Sequence, residues 1–131
     1  MDQSICVLVI EDEAHIRRVL EYNLELDGLE VYLAGDGPSG LELARQKRPE
    51  VILLDWMMPG MDGLQVLSEL KQDETTKDIP VFMLTAKSTL ADVGEALYKG
   101  ADDYITKPFD ATKLGDIIKA KLGKYAEQKS G

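Results

Sequence analysis

Two kinds of segment alternate along the chain. Short runs are apolar throughout; longer stretches carry apolar residues every three or four positions. Ile5–Ile10, Val51–Leu54 and Pro80–Thr85 are of the first kind, the pattern of strands covered on both faces, with Pro80 at the tolerated first position. Leu29–Ala34 mixes polar and apolar residues and predicts a strand nearer an edge, and Asp103–Thr106 predicts a short last strand. Between them, Ala14–Asp27 sets Ile16, Val19, Leu20 and Leu24 at helical spacing and stops at Gly28. Pro38–Lys47 predicts a helix with Leu41 and Ala44 inward and its proline in the first turn. Gly63–Gln72 carries one stripe, Val66, Leu67 and Leu70. Thr89–Lys99 reads as a helix that Gly94 weakens by roughly 1 kcal/mol relative to alanine. Thr112–Lys124 points Leu114, Ile117, Ile118 and Leu122 inward, and the polar segment Ala126–Gly131 predicts a frayed tail. Strands alternating with helices predict an α/β fold: a doubly wound parallel sheet with right-handed crossovers and helices on both faces.

Length and charge narrow this picture. The 131 residues suffice for one domain with a substantial core, read as residues 1–124 followed by a polar tail or linker start at 125–131. With 24 acidic and 15 basic residues the formal charge is -9, which disfavours direct binding to nucleic acid or an anionic membrane and suits protein partners or cations. The single cysteine, Cys6, rules out an internal disulfide, is compatible with a reducing cytosol and reads as a buried thiol. No basic leader and no apolar stretch of membrane-spanning length is present, so a cytoplasmic protein is expected.

The chemistry gathers at the strand ends. In a parallel sheet every strand finishes on the same edge, where open α/β folds bind ligands. Glu11, Asp12 and Glu13 follow the first strand; Asp55 follows the third; Thr85 ends the fourth; Lys107 and Pro108 follow the fifth. Taken singly, the acids are as well explained by helix capping, Thr85 by a backbone hydrogen bond and Lys107 by a solvated surface position. Together they are coherent. Clustered carboxylates repel and need a cation, and oxygen ligands suit Mg²⁺, which shares its shell with water and phosphate. A carboxylate can also act as nucleophile and form an aspartyl-phosphate. The roles that follow are Glu11 and Asp12 on Mg²⁺, one of them able to act through a water, and Asp55 as the phosphoacceptor. Lys107 and Thr85 grip the phosphoryl oxygens, and the backbone carbonyl of Met57 completes the metal shell.

The segments carrying these residues resemble the receiver domains of two-component response regulators. They are Val9-Ile10-Glu11-Asp12-Glu13, Leu53-Leu54-Asp55 with the turn through Gly63, Leu84-Thr85-Ala86, and Gly100 to Phe109. The likeness spans about residues 4 to 124, and Asp55-Trp56 with the Gly100–Phe109 segment is most similar to the OmpR/PhoB subfamily. The resemblance implies a flavodoxin-like five-stranded sheet in the order 2-1-3-4-5. It also implies Mg²⁺-dependent phosphorylation of Asp55 by a sensor histidine kinase or phosphotransfer protein, and a cis Lys107–Pro108 bond. It further implies a switch in which Thr85 moves toward the phosphoryl group and Tyr104 turns inward. That movement remodels the face of the fourth helix, last strand and last helix for a downstream output partner or domain. The first helix, near His15 and Ile16, is the expected kinase-docking surface, with Phe109 beside it. His15 itself reads as a solvated helix residue.

One departure from the subfamily concerns its dimer face. Ser88–Tyr98 has no basic residue, and the last helix offers Lys113, Lys119 and Lys121 but no arginine, so only a weak homodimer is expected there. The competing readings are a small aspartyl-phosphate phosphatase and a pseudo-receiver that only binds partners. The first needs an acid/base Asp where Met57 stands, so no turnover enzyme is expected; the second is at odds with the intact set Asp12, Asp55, Thr85 and Lys107. No Gly-rich phosphate loop follows the first strand, which argues against a nucleotide-binding module.

Overall fold

The computed structural model describes residues 4–86, 94–97 and 99–130. In chain order the elements are β1 (Cys6–Ile10), α1 (Ala14–Leu26), β2 (Glu30–Ala34), α2 (Gly37–Lys47), β3 (Val51–Asp55), α3 (Gly63–Gln72) and β4 (Val81–Thr85). A helical stretch at 94–97 (α4), β5 (Asp103–Thr106) and α5 (Ala111–Ser130) complete it. The rest of the helix predicted at Thr89–Lys99, apart from 94–97, is either a turn at Lys99 or outside the described residues.

All strand pairs are parallel and the sheet order is β2-β1-β3-β4-β5. The three wholly apolar runs became β1, β3 and β4, the strands with neighbours on both sides. Because side chains alternate across a strand, each run feeds two cores. Leu8, Ile10, Ile52, Leu54, Val81 and Met83 face α2 and α3, whose Leu41, Ala44, Val66, Leu67 and Leu70 cover them. Val7, Val9, Val51, Leu53, Phe82 and Leu84 face the other way, under Leu20 and Leu24 of α1 and Leu114 and Ile118 of α5.

Three expectations are corrected. Val19, predicted on the apolar stripe of α1, is 45% exposed, because Leu20 and Leu24 occupy the buried line and Val19 lies to one side of it. Cys6 is only half-buried, since it opens β1 at the end of the sheet away from the core. The predicted frayed tail is helical: α5 runs through to Ser130. The segment contains no proline, Gly123 is tolerated, and Tyr125 anchors the extension by donating its hydroxyl to the Asp78 carbonyl at 3.1 Å.

Candidate functional site

The acidic residues after β1 do not cap α1. Its N-cap is Glu13, which makes no side-chain cap hydrogen bond. Glu11 instead turns inward and is fully buried; its Oε2 accepts from the Glu13 amide at 3.2 Å. Arg17, one turn into α1, donates Nη1 to the Glu11 carbonyl at 2.7 Å and so ties the acidic turn to the helix. Asp12 remains half-exposed at the rim. Asp55 is not a cap either. The helix after it is capped by Asp62, which forms a reciprocal capping box with Gln65. Both simple capping explanations therefore fail, and the carboxylates are left for one another.

Asp55, at the tip of β3, is 3% exposed, and Thr85, at the tip of the adjacent β4, is 2% exposed. One carboxylate oxygen from each of Glu11, Asp12 and Asp55 lies within 4.8 Å of the others. Lys107 reaches in from the end of β5, its Nζ donating to Asp55 Oδ1 at 2.9 Å and to Glu11 Oε1 at 3.3 Å. The Lys107–Pro108 bond is cis, as the resemblance implied, and the Lys107 amide donates to the Thr85 carbonyl at 2.8 Å, which pins the lysine's backbone to the end of β4. Met57 lies in the turn just after Asp55, with its side chain 63% exposed.

The electrostatics follow from this packing. Burial pushes the Glu11 carboxyl up to about 7; the Glu13 amide and Lys107 work against the rise, and the neighbouring Asp55 charge adds to it. Burial also disfavours the Lys107 ammonium, but its hydrogen bond to Asp55 and the charges of Asp55 and Glu11 outweigh that and hold its pKa above the ordinary lysine value. One ammonium thus balances a site with three acids, which leaves a deficit of positive charge. The all-oxygen donor set and the half-exposed Asp12, open to water, fit a hard divalent cation.

Two further residues were singled out by sequence. Tyr104 pairs with Met83, and Thr85 with Thr106, so Tyr104 and Thr85 share one face of the sheet; Tyr104 is 36% exposed. His15 is a solvated helix residue, 3.8 Å from Glu13. It borders a shallow, mainly apolar cavity of about 300 Å³ with Ile16, Val19, Pro108 and Phe109. Arg17 was not singled out. Its only sequence signal is a basic residue one helical turn after an acidic triplet.

Comparison with known proteins agrees with this geometry. Residues 7–119 match the family model described as the response regulator receiver domain. The chain is 46% identical over 116 residues to the phosphate regulon transcriptional regulatory protein PhoB of Escherichia coli (strain K12), and equally to that of Shigella flexneri; the match covers 88% of this chain and 51% of each relative. It therefore spans about half the length of these curated relatives. Among solved structures, Vibrio cholerae chemotaxis protein CheY4 superposes with a TM-score of 0.85 at 29% identity, covering 90% of this chain and 98% of that one. The receiver domain of the Francisella response regulator 1452 superposes with a TM-score of 0.84 at 31% identity, covering 93% and 99%. A family match over nearly the whole chain, on a site whose residues converge at the strand ends, shows that this chain belongs to the response regulator receiver domains of two-component systems.

Proposed function

We propose that Asp55 accepts a phosphoryl group from a sensor histidine kinase or phosphotransfer protein. An Asp55 carboxylate oxygen attacks phosphorus; the bond from phosphorus to the donor imidazole nitrogen breaks, and that nitrogen keeps the electron pair. The observation that carries this reading is a buried carboxylate at a strand tip, spared from capping and held 2.9 Å from a lysine ammonium. Glu11, Asp12 and Asp55, with the Met57 carbonyl, are the residues that would hold Mg²⁺, which when bound neutralises charge on the phosphoryl oxygens. Lys107 can shift its hydrogen bond from the Asp55 carboxylate to the oxygens added there, and Thr85, buried at the tip of the neighbouring strand, would supply a hydroxyl donor. Met57 stands where a phosphatase of this type needs its acid/base Asp, so the site is read as a phosphoacceptor and not a turnover enzyme.

The signal would leave through Thr85 and Tyr104, which share a sheet face. Asp102 and Asp103, at the start of β5 on the face of α4, β5 and α5, are engaged within the chain. Asp102 pairs with Lys71 at 3.0 Å and Asp103 with Lys121 at 2.9 Å. This supports a weak homodimer on that face and a downstream output partner or domain reached by protein contact, with no direct nucleic-acid binding by this chain. The cavity beside α1 suits the docking helix of the phosphodonor. No helix among the described residues is long and apolar enough to cross a membrane, and a cytoplasmic location fits the reading.

The test is acetyl phosphate with Mg²⁺ on wild type and Asp55→Asn, followed by intact mass. Wild type should gain one phosphoryl group, lost on chelation of the metal before reaction; Asp55→Asn should gain none. An unmodified wild type, or equal modification of the variant, would overturn the assignment.

A further inference from the structure

Arg17 sits one turn into α1, just after the acidic run Glu11–Glu13, yet its guanidinium forms no ion pair among the described residues. Its Nη1 instead donates to the Glu11 carbonyl at 2.7 Å, short for an N–H donor and typical of a charged one. The same guanidinium lies against Gly35, which follows β2. A Cβ on Gly35 would stand 3.1 Å from Nη1 and 3.4 Å from Cζ, so only a glycine leaves the guanidinium its full room. Half-buried Arg17 thus bridges the turn after β1 and the turn after β2.

The bond matters because of the peptide it holds. The Glu11 carbonyl belongs to the planar unit that joins Glu11 to Asp12, so fixing its oxygen fixes the direction in which Asp12 leaves Glu11. Glu11 is secured at its other groups. Its amide donates to the Ala34 carbonyl at 3.0 Å, and its carboxylate accepts from the Glu13 amide and from Lys107. The Asp12 carboxylate makes no ion pair among the described residues, so its placement rests on the backbone that carries it. By charge alone, a guanidinium near a cation site works against the ion, since like charges repel. We infer that Arg17 is a positioning residue for the divalent cation. It sets the Glu11–Asp12 peptide, and with it both carboxylates, before the ion arrives, and Gly35 gives the guanidinium room to do so. This rests on the reading of Glu11, Asp12 and Asp55 as a Mg²⁺ site and extends it to two residues outside the ligand set.

Binding of Mn²⁺, which takes the same oxygen ligands, tests this without phosphate. Electron paramagnetic resonance counts the free ion, and Mg²⁺ affinity follows from its displacement of Mn²⁺. Wild type should bind an ion that Asp12→Asn loses. Arg17→Met keeps the apolar stem and lacks the donor; it should weaken binding about tenfold or more, as loss of a group that orients a metal ligand does. A guanidinium acting only through its charge predicts the opposite, tighter binding once it is removed, so the sign of the change separates the two. Gly35→Ala leaves every charge in place but pushes the guanidinium away by roughly a few tenths of an ångström; it should weaken binding about threefold. In an Arg17→Met background Gly35→Ala should have no further effect. Circular dichroism checks that each variant is folded. Unchanged or tighter binding by Arg17→Met, or a Gly35→Ala effect that persists without Arg17, would overturn the inference and leave the metal site standing. A wild type that binds no ion, or whose ion Asp12→Asn retains, would overturn the metal reading and this inference with it. Because no phosphate is used, failure of Asp55 as phosphoacceptor leaves the measurement unaffected.

Discussion

Gly63→Ala is the sharpest probe of how the fold presents Asp55. Gly63 opens α3 and folds back on the end of β3, its amide donating to the Trp56 carbonyl at 2.8 Å. A Cβ there would lie 2.5 Å from the Asp55 carbonyl oxygen, 2.7 Å from Trp56 Cα and 3.0 Å from the Trp56 carbonyl oxygen. All three are backbone atoms, so no rotamer change relieves the clash, and the turn after Asp55 must move by roughly 0.5–1 Å to restore ordinary van der Waals separation. Overpacking of this kind costs about 1–3 kcal/mol, and stretching the Gly63 hydrogen bond about 1 more. The helix preference of alanine over glycine returns up to about 1 kcal/mol, less at a terminal position. The net loss is then about 1–3 kcal/mol, a fall in melting temperature of about 3–12 °C for a domain of this size. Moving the acceptor by that distance should also slow phosphorylation by acetyl phosphate by about tenfold to a hundredfold. Gly123→Ala, where a Cβ meets nothing within 4 Å, is the control and should stabilise α5 by about 0.5–1 kcal/mol. Thermal unfolding by circular dichroism and phosphorylation rate by mass spectrometry read the two effects. Gly63→Ala with wild-type melting temperature and wild-type rate would refute the tight backbone contact and the positioning argument built on it.

Other substitutions probe separate parts of the molecule. Lys71→Met removes an ammonium that binds Asp102 at 3.0 Å and the Ile79 carbonyl at 2.9 Å; it should cost about 2–4 kcal/mol in urea unfolding, because Asp102 stays partly buried with its charge uncompensated. Tyr125→Ala should fray α5 beyond Lys124, seen as faster amide hydrogen exchange there, with a loss of about 1 kcal/mol at most. Arg45 beside Asp73, with the Thr75 amide and hydroxyl, holds the Asp73 carboxyl down to about 2. A depressed folded pKa contributes stability that is present above the unfolded value near 4 and is lost as pH falls toward 2. Asp73→Asn should therefore flatten stability against pH in that window, and an unchanged acid limb would contradict it.

Reading the chain alone was enough where a property is local and periodic. Uninterrupted apolar runs at Ile5–Ile10 and Val51–Leu54 meant burial on both faces, and parallel strand ends brought Glu11, Asp55, Thr85 and Lys107 to one rim. Helix ends were less legible. Ala126–Gly131 looks like a tail because its composition is polar, but α5 runs through it as far as Ser130, and its described anchor is a contact from Tyr125 to Asp78, 47 residues away in the chain.

Three matters needed the tertiary structure. Whether Glu11 and Asp55 are caps or a charge cluster depended on the dihedral and hydrogen-bond choices of Glu13 and Asp62, which no spacing rule separates. The Lys107–Asp55 contact joins residues 52 apart, and only the sheet order brings them to 2.9 Å. Val19 fits the apolar periodicity of α1, but the docking of that helix on β1, β3 and β4 buried Leu20 and Leu24 and turned Val19 outward. Periodicity says that a helix has an apolar side; it does not say which apolar residues the neighbouring elements cover, because that depends on the angle at which the helix meets the sheet. In this chain that packing leaves Val19, Tyr22 and Leu26 on the surface.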